Sequence, residues 1–299
     1  MAIYSIRDLE QLTGIKKHTI RIWEQRYRLI TPHRTDTNIR YYTDEELRLL
    51  FNIALLNRNG FKISKLAQME PQHIARLVSG IAERGNEGEG NVDALTLAML
   101  NLDEVAFERI FSGSIAAHGF EHTVLSLLYP LLEHLKALWI TRSIQPAHEK
   151  FITQLIRRKL IHAIDDLELI SCKESHTFIL YLPEGENQEL TLLFLHYLLR
   201  KRHFRVLYLG ENTSLRDLSD AAGVAAPSYI MTMIDQPLHR QSVQQYVNQA
   251  ALAAGKASVL LTGAQVFLAP LSLPDNVQLL NGLPDTLALL DRLSKSKCD

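Results

Sequence analysis

The chain has 299 residues, 46% of them hydrophobic and 22% charged; that is globular composition, enough for about two domains, and its apolar runs fall short of the ~18 residues a bilayer span needs. Two cysteines, Cys172 and Cys298, exclude a disulfide framework and a four-thiolate zinc site, and an N-terminal stretch without an apolar signal core points to the cytoplasm. The net charge of −1 hides a split: residues 1–65 carry 12 Lys and Arg against 7 Asp and Glu, the rest 20 against 26, a basic head on an acidic body that suggests a polyanion-binding module joined to something else.

In chain order, Ser5 and Asp8 fit a capping box ahead of Ile6, Leu9 and Leu12, and Thr13-Gly14 closes that helix. A second helix is predicted from about Lys17 to Tyr27. Pro32 to Tyr42 reads as a polar β-hairpin ending in Ile39-Arg40-Tyr41-Tyr42. Thr43 caps a third helix that runs to Asn57, its acids suiting the N-terminus. Gly60 ends it, and Ser64 is expected to cap a short fourth helix. A helix, a tight turn and a second helix present that second helix to a major groove. Lys17, His18, Thr19, Arg21, Gln25, Arg26 and Arg28 supply its donors, and Ile20, Trp23 and Tyr27 an apolar back. Arg21 and Gln25 share a face at four-residue spacing; Arg can fork onto guanine and Gln onto adenine. The hairpin brings Arg34, Asn38, Arg40 and Tyr41 as a basic wing.

Glu83 to Asn91, rich in glycine and charge, reads as a flexible hinge; no strand precedes its glycines, so it is no dinucleotide loop. From Val92 to about Asp166 apolar residues recur at three- and four-residue steps: Val105, Phe107, Ile110 and Phe111, then Val124 to Leu138, then Phe151 to Ile164. Four helices in series make a bundle. After Cys172 the period changes. Strands at Thr177–Leu182, Arg205–Leu209, Tyr229–Ile234, Ser258–Thr262 and Val277–Leu280 alternate with helices at Glu189–Arg202, Leu215–Ala222, Gln241–Ala254 and Asp285–Leu293, which implies a doubly wound five-strand parallel sheet, Rossmann-like. Ligands of such sheets bind beyond the carboxyl ends of the strands, here the loops after Leu182, Gly210, Ile234 and Thr262. His118 and His122 have zinc spacing but no third ligand, so no metal site is expected. No nucleophile-base set or phosphate loop is visible, and no enzymatic step is expected.

Tyr4-Ser-Ile, Leu12-Thr-Gly-Ile15, Thr19-Ile-Arg-Ile-Trp-Glu-Gln-Arg-Tyr27, Pro32-His-Arg34 and Arg40-Tyr-Tyr42 together resemble the winged helix-turn-helix of MerR-family transcription regulators, over about residues 3–70. The resemblance implies DNA contacts from His18, Thr19, Arg21, Arg26, Tyr27, Arg34, Arg40 and Tyr41, with Lys65 on a phosphate, and a two-fold promoter site in double-stranded DNA bound by a dimer or tetramer. Asn38-Ile39 departs from the glycine turn many members carry before the wing arginine. The long dimerising helix common in the family is interrupted at residues 85–90, so self-association falls to the acidic body.

A helix bundle followed by a five-strand α/β domain resembles the cobalamin-binding module, and behind a MerR-type head it looks like the CarH/LitR-type photoreceptor regulators. In that module a loop motif E/D-x-H-x-x-G supplies a cobalt-binding His. Here Glu186 opens the aligned stretch, Gln188 stands for the His and Thr191 for the Gly. Over the upper face the family places a Trp and, further on, Glu-His; this chain has Trp139 and Glu149, then Lys150. The Gly-Gly of the fourth loop appears as Gly263-Ala264. An amide is a poor cobalt ligand beside an imidazole, so Trp139, Glu149, Glu186, Gln188 and Gly263 read as a vestigial cobalamin pocket, with no tightly held cofactor expected. The expected domains are a DNA-binding head 1–75, a linker 76–91, a bundle 92–170 and a cobalamin-binding-like α/β domain 171–299. Three alternatives stay open: a true cobalamin-dependent light or ligand sensor, a cobalamin carrier or methyl-transfer module, and a regulator gated by a protein partner.

Overall fold

The structure, a computed structural model, describes residues 4–34, 40–58, 60–71, 73–74, 76–77, 89–132, 135, 145–168, 176–238, 241–268 and 270–295. The chain forms two compact units, Met1–Leu155 and Ile156–Asp299.

The first unit opens with helix Ile6–Thr13, whose capping box forms as its local sequence dictates: the Asp8 N–H donates to Ser5 Oγ, and the Ser5 N–H to Asp8 Oδ2 at 2.7 Å. Gly14 ends it in the left-handed conformation at φ 69°. Helix Lys17–Ile22 follows, then widens into a π turn over Trp23–Tyr27, closed by the Arg28 N–H on the Trp23 carbonyl. The second helix therefore spans the predicted residues, but Gln25 leaves the α register in which it would stand four residues along from Arg21. Strands β1 (His33–Arg34) and β2 (Arg40–Tyr41) pair antiparallel; the wing tip with Asn38-Ile39 lies outside the described residues. Two backbone bonds between Tyr4 and Tyr42, at 2.8 and 2.9 Å, tie the N-terminal segment to the wing. Helix Asp44–Arg58 runs one residue past the predicted end. Ser64 does not cap the fourth helix: Ile63–Leu66 begins one residue before it with Lys62 at the cap, and Ser64 is an exposed residue within the turn. Leu9, Ile20, Trp23, Tyr42, Leu50 and Leu66 are buried, so Trp23 is a core residue.

The next helix, Glu89–Leu100, begins three residues earlier than Val92, taking in the end of the glycine-rich stretch; residues 83–88 lie outside the described residues. It packs against Asp44–Arg58. At that contact Arg58 pairs with Asp93 through Nη1 and donates from Nη2 to the Thr13 carbonyl at 2.6 Å, joining the ends of three helices. Asp93 is 9% exposed and Thr13 1%. Arg58→Ala removes a partner from each, and an expected loss of about 1–3 kcal/mol follows from leaving buried acceptors short of a donor, discounted for the partly exposed arginine. A urea midpoint for the full chain equal to the parent's would overturn this. Helix Glu104–His118 is capped by Asp103, which accepts from the Ala106 N–H at 2.9 Å. Phe107, Ile110 and Phe111 are buried as expected, but Val105 is 73% exposed. It sits in the first turn, before the buried stripe begins, where periodicity alone over-counted the apolar face. Helix Phe120–Thr123 continues through a second π turn at Val124–Leu128, and the unit boundary falls within helix Pro146–Asp165.

The second unit is a five-strand parallel sheet of order β4-β3-β5-β6-β7, with β3 Thr177–Pro183, β4 Arg205–Thr213, β5 Tyr229–Met233, β6 Ser258–Thr262 and β7 Val277–Leu279. Helices Glu189–Lys201, Leu215–Ala225, Val243–Ala253 and Gly282–Lys295 connect or follow them. Phe178 to Leu182 are buried without alternation, as a strand covered on both faces requires. β4 extends four residues past the predicted end, because Gly210 at φ 79° and a register shift against β3 carry the chain through a bulge. Helices Leu215–Ala225 and Val243–Ala253 pack together on the face of Ile179, Tyr181, Ile230 and Val259. Arg202 joins helix Glu189–Lys201 to Asp291 of the C-terminal helix at 2.7 Å. The chain leaves β3 for β4 on one side and returns to β5 on the other, so the topological switch point lies between β3 and β5.

In this unit His196 stacks on Tyr208 with ring centres 5.2 Å apart. Burial, then the Arg200 charge, lowers its pKa to about 4. The folded state therefore resists a proton that the unfolded chain accepts near 6.5. Stability that is present above pH 6.5 is expected to drain as pH falls towards 4. His196→Phe keeps a ring on Tyr208 and should flatten that limb of the melting-temperature profile; an unchanged acid limb would remove His196 as its source.

Candidate functional site

The head gathers its cations on one pair of elements. His18, Arg21 and Arg26 are exposed on the second helix and its π turn, while Thr19 and Tyr27 are half-buried. Thr19 Oγ1 lies 3.4 Å from His18 Nε2, and the Arg26 guanidinium lies 5.5 Å from the Tyr27 ring centre. On the wing, Arg34 and Arg40 are exposed and Tyr41 stacks on His33 at 5.4 Å. Glu24 anchors wing to helix: it accepts from the Tyr42 hydroxyl at 3.0 Å and lies 3.6 Å from Arg40 Nε. Burial, then the charge of Glu24, pushes the Tyr42 phenol up to about 12, so it stays a donor. Lys65 is exposed in the fourth helix. Periodicity missed Ile22, which is 47% exposed one residue from Arg21 and could be recognised only once Ile20 and Trp23 were seen to fill the core.

At the carboxyl edge of the sheet, the loops after β3, β5 and β6 are laced together. Glu186, 3% exposed, reaches from the first loop to the second, where its Oε1 accepts from the Asp235 and Gln236 N–H groups at 2.9 and 2.8 Å. Its Oε2 is buried without a hydrogen-bond partner. Burial raises the carboxyl pKa, offset in part by the two N–H donors. Asp235 Oδ1 in turn accepts from the Ala264 N–H at 2.7 Å. Gly263 sits at φ 111° against the Ile234 backbone, where a Cβ would lie 2.6 Å from the Ile234 nitrogen. Gln188 is the half-buried N-cap position of helix Glu189–Lys201, without a side-chain capping bond; Thr191 is half-buried one turn on. Glu149 is half-buried in its helix, and Trp139 and Cys172 lie outside the described residues. The structure thus brings Glu186 and Gly263 to one crevice through Asp235.

Residues 4–73 match the family model for the MerR HTH family regulatory protein. The chain carries a MerR-type helix-turn-helix domain at its N-terminus. It is 28% identical over 233 residues to the HTH-type transcriptional repressor CarH of Myxococcus xanthus, covering 76% of this chain and 77% of that protein. The repressor CarA of the same organism is 27% identical over 230 residues, with 75% and 74% covered. Among solved structures, the monomethylamine corrinoid protein of Methanosarcina barkeri aligns at a TM-score of 0.49 and 12% identity, over 70% of this chain and 97% of that one.

The MerR-type head is joined to the α/β unit that its resemblance to cobalamin-binding modules implies, with parallel strands, helices on both faces and a switch point at β3 and β5. The side chains at that switch point do not fit imidazole ligation of cobalt. Gln188, at the N-cap position of helix Glu189–Lys201, offers an amide rather than an imidazole, and one oxygen of Glu186, Oε1, is engaged by backbone donors of the neighbouring loop. Gly263, the feature retained, is required by the close approach of Ile234. His118 and His122 face each other at 5.2 Å between ring centres, and among the described residues no group of three or more His, Cys, Asp or Glu could hold a metal. No described helix is long and apolar enough to cross a membrane.

Proposed function

We propose that the chain is a MerR-family regulator and a sequence-specific repressor, without an enzymatic step, that binds a two-fold site in double-stranded promoter DNA as a dimer or tetramer. The observation that carries it is the exposed row His18, Arg21, Arg26 on the second helix beside the wing cations Arg34 and Arg40, in a head matched to a DNA-binding family. Arg21 forks onto a base edge, Ile22 offers an apolar contact to a thymine methyl, and Arg34, Arg40, Tyr41 and Lys65 hold phosphates. His18, Thr19, Arg26 and Tyr27 complete the contact surface. The repressor direction follows the names of the two relatives.

The head is assigned to 1–75, the bundle to 92–170 and the α/β domain to 171–299, with the linker between head and bundle. The body serves assembly and sensing without protein-imidazole ligation of adenosylcobalamin, which the replacement of His by Gln188 and the engagement of Glu186 support. A protein co-regulator docking on the acidic body would fit the same design. One experiment tests both parts. The full-length protein is footprinted on its own promoter region, in the dark, with and without hydroxocobalamin, and is desalted to measure retained corrinoid. A protected two-fold tract that is indifferent to corrinoid, with none retained, is expected. Stoichiometric retention would restore the cobalamin-sensing reading, and no protected tract would end the regulator reading.

A further inference from the structure

The candidate DNA face of the head sets an acid among its cations. Glu24 lies on the π turn of the second helix, three residues after Arg21 and two before Arg26. Its side chain is 11% exposed, against 39% for the Arg40 side chain it meets. Each of its oxygens has a separate task. Oε2 accepts from the hydroxyl of the fully buried Tyr42 at 3.0 Å. Oε1 stands 3.6 Å from Arg40 Nε, joining the helix to the wing.

The two tasks differ in what DNA can change. Tyr42 is fixed from behind, because its backbone is bonded to Tyr4 in both directions. Burial first and Glu24 next raise its phenol, while the Arg40 and Arg21 charges act on the same group from the other side. The arginine assigned to a base and the arginine assigned to a phosphate therefore both lie close to the Glu24–Tyr42 pair. Arg40 is exposed, and at 3.6 Å its contact is an ion pair rather than a hydrogen bond. A phosphate oxygen offers the guanidinium the same charge with two hydrogen bonds in better geometry. We propose that Glu24 is a positioning residue for DNA: it holds the wing to the second helix through Tyr42, and it occupies Arg40 as an internal stand-in for phosphate that DNA must displace. The inference rests on the DNA-binding reading above. Displacement leaves Glu24 without its counter-charge, and phosphates are common to all sequences, so the exchange lowers affinity for every DNA.

The test is fluorescence anisotropy of the full-length protein on its own promoter fragment and on an unrelated fragment. The parent is compared with Glu24→Gln, Arg40→Ala and the double variant, across a salt series. Glu24→Gln keeps an acceptor for the Tyr42 hydroxyl and releases Arg40. It should bind both fragments about threefold more tightly per head, about tenfold for a two-headed complex, the worth of a partly exposed ion pair. The gain should shrink as salt rises and fall by more than half when Arg40→Ala is also present. A merely structural role for Glu24 has the opposite sign, a loss of binding. Weaker or equal binding by Glu24→Gln, or a gain of the same size without Arg40, would overturn the inference and leave the DNA-binding reading standing. A second readout needs no DNA. The Arg40 Nε–H resonance of the free protein, identified by its absence from Arg40→Ala, should move on Glu24→Gln, and a resonance that stays in place would also overturn the pairing. A parent that binds neither fragment would end the DNA-binding reading and this role with it.

Discussion

Gly263→Ala is expected to destabilise the α/β unit by about 3 kcal/mol or more, because a left-handed, glycine-only backbone and a backbone clash fall on one atom. Gly263 has φ 111° and ψ 159°, a region L side chains rarely enter. An added Cβ would also lie 2.6 Å from both the carbonyl carbon and the nitrogen of Ile234. Ile234 cannot retreat cheaply. Its N–H is bonded to the Thr262 carbonyl at 2.9 Å and its carbonyl to the Gln265 N–H at 3.0 Å. For a unit of this size the loss corresponds to a fall in melting temperature of roughly 6–12 °C. The measurement is a thermal melt of the full-length chain with no corrinoid present. A glycine kept only to make room for a ligand tail would leave that melt unmoved, so a shift under about 2 °C would overturn the structural assignment.

DNA affinity is expected to fall about 10³-fold between 50 and 200 mM salt, since six phosphate contacts from two heads release as many counterions. In the proposed two-headed complex the six are Arg34, Arg40 and Lys65 of each head, all exposed. Arg21→Ala should cost about 1–3 kcal/mol and relax one base pair in each half-site, leaving the salt slope nearly intact. Arg40→Ala should do the reverse, weakening all sequences and flattening the slope by about 0.9 per head. Part of the arginine's gain on DNA is offset, because it must leave Glu24, 3.6 Å away. Fluorescence anisotropy across a salt series separates the two effects. Undiminished specific binding by Arg21→Ala would remove it from the readout of bases, and a parent slope near zero would remove the phosphate contacts altogether.

Much of the head was legible because its signals are local. The Ser5–Asp8 capping box, the Gly14 stop and the antiparallel wing follow from residues within a few positions of one another. The π turn at Trp23–Tyr27 carries no such signal, and neither does the pairing of Tyr4 with Tyr42 across the head. Val105 shows the limit from the other side: it fits the apolar period yet stands in solvent. In the α/β unit four of the five strands were legible to within a residue, since buried parallel strands are uninterrupted apolar runs bounded by polar turns; β4 ran four residues further, through its bulge. The contacts that make a site of them were not. Glu186 meets Asp235 and Gln236 across about fifty positions, and Gly263 is defined by Ile234 of another strand.

The amino-acid sequence by itself determined the order of the elements, the charge split and the two ends of the first helix, because caps, periodicity and turn glycines act over distances shorter than one helical turn or one strand. It also determined that Gln188, not an imidazole, stands in the loop after β3. Only the tertiary structure decided that Arg58 would bridge Thr13 and Asp93, and that Glu186 would close the switch point with one oxygen left unpartnered. Each of these brings together groups far apart in the chain, and their meeting is set by how helices pack and strands register. Neither is written in the local preferences of the residues concerned.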